Sequence, residues 1–156
     1  MTDLKSIYQI VEETLASYGV DPVLARNDGD GQWMLITSEK IELYLDVWAA
    51  DNQHWSSYFV DEERVVFQII APILSIPANN KEIFADLMDI NMGLYGASLM
   101  VKKDEGMVCV KYRVALQELR PEHITEAFNM VSHYAELLQN NLSDMYKLEK
   151  ILAEEA

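Results

Sequence analysis

Cysteine, proline, glycine and positive charge are all scarce in this 156-residue chain, and each shortage removes a class of protein. The one cysteine, Cys109, permits no disulfide within the chain and no cysteine-built metal site. Six glycines are too few for a phosphate cradle, and no Walker loop, G-x-G-x-x-G or G-x-S-x-G pattern occurs. No apolar run approaches the roughly 20 residues that a membrane span requires. The longest, Val65 to Ile76, is interrupted by Gln68 and Pro72. The opening Met-Thr-Asp-Leu-Lys lacks the basic and apolar regions of a signal peptide, so a cytoplasmic location is the expectation.

Twelve basic residues face 26 acidic ones, for a net charge of −14. Such a field repels phosphate backbones and anionic lipid, so neither nucleic acid nor membrane is expected as a partner. The charge is also uneven. Residues 1–63 hold 13 acids and three bases, net −10, whereas residues 64–156 hold 13 acids and nine bases, net −4. Excess acid by itself keeps a protein soluble. Gathered on one face, it also attracts a basic segment of another protein.

What is present is enough for one core. Half the residues are hydrophobic, which argues against disorder, and a domain of about 150 residues buries roughly 70% of its unfolded surface. Leu4, Ile7, Tyr8, Val11, Leu15 and Tyr18 recur at helical spacing and predict a first helix from about Asp3 to Tyr18, capped by Thr2 or Asp3 and stopped by Gly19. An irregular connection follows from Asp21-Pro22. Trp33 to Thr37, Ile41 to Trp48 and Arg64 to Ile70 read as strands, with Trp55 to Val60 a possible further extended run. In the second, Ile41, Leu43, Leu45 and Val47 share one face, and Glu42, Tyr44, Asp46 and Trp48 the other. Ala71 to Pro77, bracketed by prolines, is expected to leave the sheet and cross to the next layer.

A second helix is expected from Asn79, with Glu82 completing a capping box and Ile83, Phe84, Leu87 and Met88 as its buried stripe. Next comes a hairpin turning at Glu105-Gly106 or over Asp104 to Met107. Either turn puts Ala97, Leu99, Val101, Val110, Tyr112 and Val114 on the core side, and Ser98, Met100, Lys102, Cys109, Lys111 and Arg113 on the wet side. A long last helix opens at Pro121. Its stripe Ile124, Phe128, Val131, Ala135, Leu138, Leu142 and Met145, interrupted at Glu149 and resumed at Leu152, is longer than one sheet needs, so Leu138, Leu142 and Met145 are candidates for a homodimer seam. The fold class is therefore α+β, an antiparallel sheet of about five strands packed by helices in the order α-β-β-β-α-β-β-α, forming one domain over residues 1–156.

A search for chemistry returns little. His54, His123 and His133 make no metal pair at i, i+4, Cys109 has no activating neighbour in sequence, and Asp61-Glu62-Glu63 reads as a solvated turn. Asp28-Gly29-Asp30-Gly31 begins like a calcium loop, but its sixth position is Trp33 where glycine is needed, so an ordinary turn fits better. No catalytic residue, cofactor site or metal site is assigned. The better candidate is the outer face of the second strand. Tyr44, Asp46 and Trp48, with Trp55 and Tyr58 beyond the turn, set aromatic groups among carboxylates. Left open, that face suits a basic or amphipathic segment of a protein partner, and a sheet edge could also accept an extended segment. The competing readings are a face covered by another helix, and a small-molecule or enzymatic site assembled only by the fold.

Leu87 to Leu116, L-M-D-I-N-M-G-L-Y-G-A-S-L-M-V-K-K-D-E-G-M-V-C-V-K-Y-R-V-A-L, resembles the YbjN-like family, through Asn91, Gly96, the Asp104 to Gly106 turn and Tyr112. The element order is similar to that of type III secretion chaperone-like proteins. The resemblance implies a non-enzymatic chaperone, adaptor or regulator, usually dimeric, with no catalytic residues to carry over.

Overall fold

The computed structural model describes residues 3–50, 64–77 and 80–154. Helix α1 (Leu4–Ser17) starts where the Asp3 carboxylate accepts the Lys5 N–H and the Ser6 hydroxyl, and Ile7, Val11 and Leu15 are its buried stripe. Gly19 (φ 83°) lets the chain turn away. The connection holds one unexpected turn of helix, α2 (Pro22–Ala25), capped by Asp21, which accepts from Val23 and Leu24 N–H. Four residues are too few for periodicity, but the Asp-Pro pair is a capping signal in its own right.

Strands β1 (Gln32–Ile36), β2 (Glu42–Ala49), β3 (Val65–Ser75), β4 (Ser98–Lys102) and β5 (Met107–Leu116) form one antiparallel sheet in the order β1-β2-β3-β5-β4. As the alternation in β2 requires, Leu43, Leu45 and Val47 are buried while Tyr44, Asp46 and Trp48 are half-buried on the opposite face. Helix α3 (Lys81–Asn91) packs against β4, and α4 (Pro121–Tyr146) lies across β3 and β5 with α1 beside it. The core joins Phe67, Ile69 and Ala71 of β3 to Val131, Ala135 and Leu142 of α4, all essentially inaccessible. The expected α+β class and element order hold.

Five expectations need correcting. Strand β3 does not leave the sheet at Ala71. It continues to Ser75, and Pro72 sits at a register shift between the Pro72–Cys109 and Leu74–Val108 pairs, where the ladder is interrupted and a missing N–H costs little. Helix α3 is capped by Asn80, whose side chain accepts the Ile83 N–H, and Met88 is exposed rather than buried. The hairpin has the expected faces, but Lys102 pairs with Met107 and the loop is Lys103 to Gly106. A shift of two residues preserves sidedness, which is all the apolar pattern can specify. The outer face is drier than expected, since Val66, Gln68 and Cys109 are buried there. Finally, α4 ends at Tyr146 instead of running on towards Leu152, because Lys147 (φ 54°) reverses the chain.

Candidate functional site

Tyr44, Asp46 and Trp48 do share the outer face of β2, and the structure shows how their polar groups are used. The Tyr44 hydroxyl donates to the Glu42 carboxylate. That bond, reinforced by burial and by the negative charge of Glu42, pushes the phenol up to about 12. Asp46 accepts from the Gln68 amide at 3.2 Å, Gln68 accepts from Arg113 Nε at 2.6 Å, and the Arg113 guanidinium lies 5.6 Å from the centre of the Trp48 ring. The acidic strand and the basic hairpin, separate poles in sequence, thus share one surface and are coupled through an amide across β2, β3 and β5. Trp55 and Tyr58 fall outside the described residues.

The dimer candidates are divided. Leu138 and Leu142 are buried in the chain's own core, and only Met145, 67% exposed, is on the surface. Exposed apolar side chains gather elsewhere. A cavity of about 360 Å³ opens between α3 and β4, lined by Phe84, Leu87, Met88, Leu99 and Val101. Met92 and Tyr95, 86% and 79% exposed, follow Met88 along the same stretch.

Among the described residues, the groups weighed for chemistry have structural roles or lie outside any site. Cys109 is fully buried, and burial pushes its thiol up to about 11, so the nucleophilic thiolate is rare at neutral pH. His123 is a capping group whose Nδ1 accepts the Arg120 N–H at 3.0 Å, and His133 is exposed beside Tyr134. In the Asp28–Gly31 turn, Gln32 Oε1 accepts the Gly29 N–H. Gly31 (φ 76°) is a position where a Cβ would lie 2.8 Å from the Val47 carbonyl oxygen. Among the described residues no cluster of His, Cys, Asp or Glu has the make-up of a metal site, and no helix is long and apolar enough to cross a membrane.

The sheet edges are more informative, because an unpaired strand edge is a template for another chain. On β4 the edge is blocked at Leu99. Its N–H donates to Asn91 Oδ1 at 2.6 Å and its carbonyl accepts from Asn91 Nδ2 at 3.1 Å, so one side-chain amide from α3 copies a neighbouring strand. The overhang of β3 beyond β2 is covered by residues 149–151, with Ser75 N–H bonding Glu149 and Ile151 N–H bonding Ile73. The outer edge of β1 differs. Asn27 N–H takes the Gln32 carbonyl and Arg26 bridges Trp33, but past that bridge no described element pairs with it. Thr37 N–H bonds Ile41, so antiparallel alternation turns the peptide groups of Ile36 away from β2. Val23, Leu24 and Ile36, 59%, 84% and 53% exposed, stand along this side of the molecule. Sequence reading missed both the blocked and the open edge. The capping Asn-to-Leu99 pairing has no local signature, whereas the apolar exposure of Ile36 could have been read from its alternation with Trp33 and Leu35.

Residues 55–147 match the family described as T3SS (YopN, CesT) and YbjN peptide-binding chaperone 1, and the chain belongs to that family. It is accordingly a non-enzymatic, protein-binding chain of the chaperone class. Among the solved structures that share its fold are chains of two complexes. One is a chain of the ExsC–ExsE complex, at 15% identity and a TM-score of 0.65, with 90% of this chain and 96% of that one covered. The other is a chain of the HopA1–SchA chaperone–effector complex, at 10% identity and a TM-score of 0.61, with coverage of 90% and 99%. No curated protein sequence matches the chain.

Proposed function

We propose that this member of a peptide-binding chaperone family acts in the cytoplasm, holding an extended segment of a partner protein as an added strand on the outer edge of β1. The observation that carries this reading is the edge of β1, which past the Arg26–Trp33 bridge has no partner among the described residues, in a sheet whose β4 edge is occupied at Leu99 and whose β3 overhang is occupied at Ile73 to Ser75. Backbone bonds at Ile36 supply affinity that is indifferent to sequence, and exposed Val23, Leu24 and Ile36 reward apolar side chains. The edge belongs to the acidic half of the chain, with Asp28, Asp30, Glu39 and Glu42 nearby in sequence, so basic residues between the apolar ones suit the bound segment. Tyr44 lies opposite Met34 and Asp46 opposite Gln32, so these side chains, with Trp48, continue the outer face that an added strand extends.

The test is Ile36→Pro, which deletes the outward N–H without touching a bond to β2. In affinity capture from native lysate followed by mass spectrometry, proteins retained by the unmodified chain should fall at least about fivefold with a folded Ile36→Pro chain, as loss of one hydrogen bond of about 1 kcal/mol requires. Equal recovery from both would refute the site.

For the homodimer, the face beside the α3–β4 cavity is the reading we favour over the end of α4. Exposed Met88, Met92 and Tyr95 around an apolar hollow support it, and a two-fold contact needs one self-complementary patch. Met88→Lys should convert the dimer to monomer in light scattering at protein concentrations of tens of micromolar, roughly where an ordinary interface holds. A Met145→Lys chain that dissociates while Met88→Lys does not would move the interface back to α4.

A further inference from the structure

Beyond α4 the chain returns to the sheet. After the left-handed Lys147, the Leu148 N–H bonds the Ser143 carbonyl and the Ser143 hydroxyl bonds the Leu148 carbonyl, which closes the reversal. The following residues run beside β3 where β2 no longer does, since β2 pairs only with Val65 to Ile70. Ser75 N–H reaches Glu149 and Ile151 N–H reaches Ile73, each at 2.9 Å, Lys150 bridges Leu74, and Ala153 N–H meets the Lys40 carbonyl at 2.7 Å. From α4, Gln139 Nε2 donates to both the Ile73 and Ile151 carbonyls, at 3.0 and 3.1 Å. The chain has added a strand to its own sheet.

The grip of this strand is mostly main-chain. Glu149, Lys150 and Leu152 are exposed, Leu148 and Ile151 are half-buried, and Ala153 is the one buried side chain of the segment. A strand held this way can be replaced by another extended segment that makes the same backbone bonds. The seat, however, cannot stand empty. Ile73 and Leu74 are fully buried, and lifting the segment strands the Ser75 N–H and takes one of two partners from the Ile73 carbonyl and from Gln139 Nε2.

We infer that residues 148–153 are a strap over a second strand-addition seat on β3, displaced by a partner segment that is aliphatic where Leu148 and Ile151 lie and small where Ala153 lies. This rests on the reading that the chain binds protein segments, and it adds a seat closed in the free protein to the edge of β1. Apparent affinity at the seat is lowered by the fraction of molecules whose strap is down. Only segments matching the strap's own pattern overcome that competition, so the strap sets a threshold for binding.

The test uses the full chain and a fluorescein-labelled synthetic peptide with the sequence of residues 147–154, Lys-Leu-Glu-Lys-Ile-Leu-Ala-Glu. In Ile151→Pro the N–H that meets Ile73 is gone, and the strap lifts while α4 and the sheet remain. Fluorescence anisotropy should show the peptide binding this variant at least about tenfold more tightly than the unmodified chain, as release of a competing intramolecular segment requires. Amide exchange at Ser75 should be faster in the free variant and slow again when peptide is added. Leu152→Ser, altered at an exposed position, should behave as the unmodified chain does. If Ile151→Pro loses helical circular dichroism, Ala153→Glu, which crowds the one buried side chain of the strap, takes its place. Equal peptide affinity in unmodified and strap variants overturns the inference. So does Ser75 protection that rises with protein concentration instead of with peptide, which would assign the seat to straps exchanged between copies. Neither result touches the β1 reading, which is reported by Ile36.

Discussion

Replacing Gln139 by leucine isolates one buried amide that ties α4, β3 and the returning segment together. Gln139 is 3% exposed, and its Nε2 donates to the carbonyls of Ile73 and Ile151. Leucine fills nearly the same volume, so the change removes hydrogen bonds without opening a large cavity. Ile73 keeps a donor in the Ile151 N–H, but the Ile151 carbonyl has no other partner among the described residues. Two bonds at about 1 kcal/mol each, and roughly 1 kcal/mol more for a half-buried carbonyl left unpaired, give a loss of about 3 kcal/mol. For a chain of this length that corresponds to a fall in Tm of about 6–12 °C. Thermal denaturation followed by circular dichroism measures it. Hydrogen exchange adds the location, because the amides of Ser75, Ile151 and Ala153 should lose protection before those of β2. A fall below about 2 °C, with those three amides still protected, would show that the amide does not anchor the segment.

Asn91→Ala should cost about 2 kcal/mol, from two bonds to Leu99 at about 1 kcal/mol each, and should free the β4 edge. Size-exclusion chromatography should then reveal assemblies beyond those of the unmodified chain, and unchanged elution with an unchanged melting curve would contradict the edge-blocking role. Glu12 is held below the usual carboxylate range chiefly by its hydrogen bond from Arg26, which with that from Trp33 outweighs the opposing effect of burial. A lowered folded-state value means that its contribution is present above the ordinary carboxylate pKa and is lost as pH falls through the lowered one. Glu12→Gln should therefore narrow the stability gap to the unmodified chain as solution becomes more acid, measured by urea denaturation across that range. Cys109 should react with a thiol reagent only on unfolding at neutral pH, since it is fully buried and its thiol is raised to about 11. Rapid labelling of the native chain would contradict its placement.

Much of the architecture was legible because side-chain periodicity is a local property. Ile41 to Val47 alternate with Glu42 to Trp48, and a strand with that pattern has one wet face whichever strands flank it. The hairpin faces followed from parity, and a two-residue error in the pairing left every side chain on its expected side. The stripe from Ile124 to Leu142 likewise marked one buried side of α4, and Asp3 and Gly19 marked the ends of α1.

Where a rule of local sequence met a tertiary constraint, the constraint prevailed. Pro72 reads as a strand breaker, yet β3 carries it at a bulge, with β5 pairing on both sides of the shift. Leu152 continues the spacing of the α4 stripe, but the helix stops at Lys147 because backbone groups at Ile73 and Ser75 offer the following residues a strand edge.

Which side of each strand faces the core, which strands alternate and the α+β class were determined by the sequence alone, since each depends on residues a few positions apart. The state of the sheet edges was decided only by tertiary structure. Asn91 closes β4 from another element, Gln139 joins a carbonyl 66 residues away, and Gln68 links Asp46 to Arg113 across separations of 22 and 45 residues. Such contacts depend on strand order and helix placement, which no window along the chain contains, and they close β4 at Leu99 and β3 at Ile73 to Ser75 while the edge of β1 past the Arg26–Trp33 bridge has no partner among the described residues.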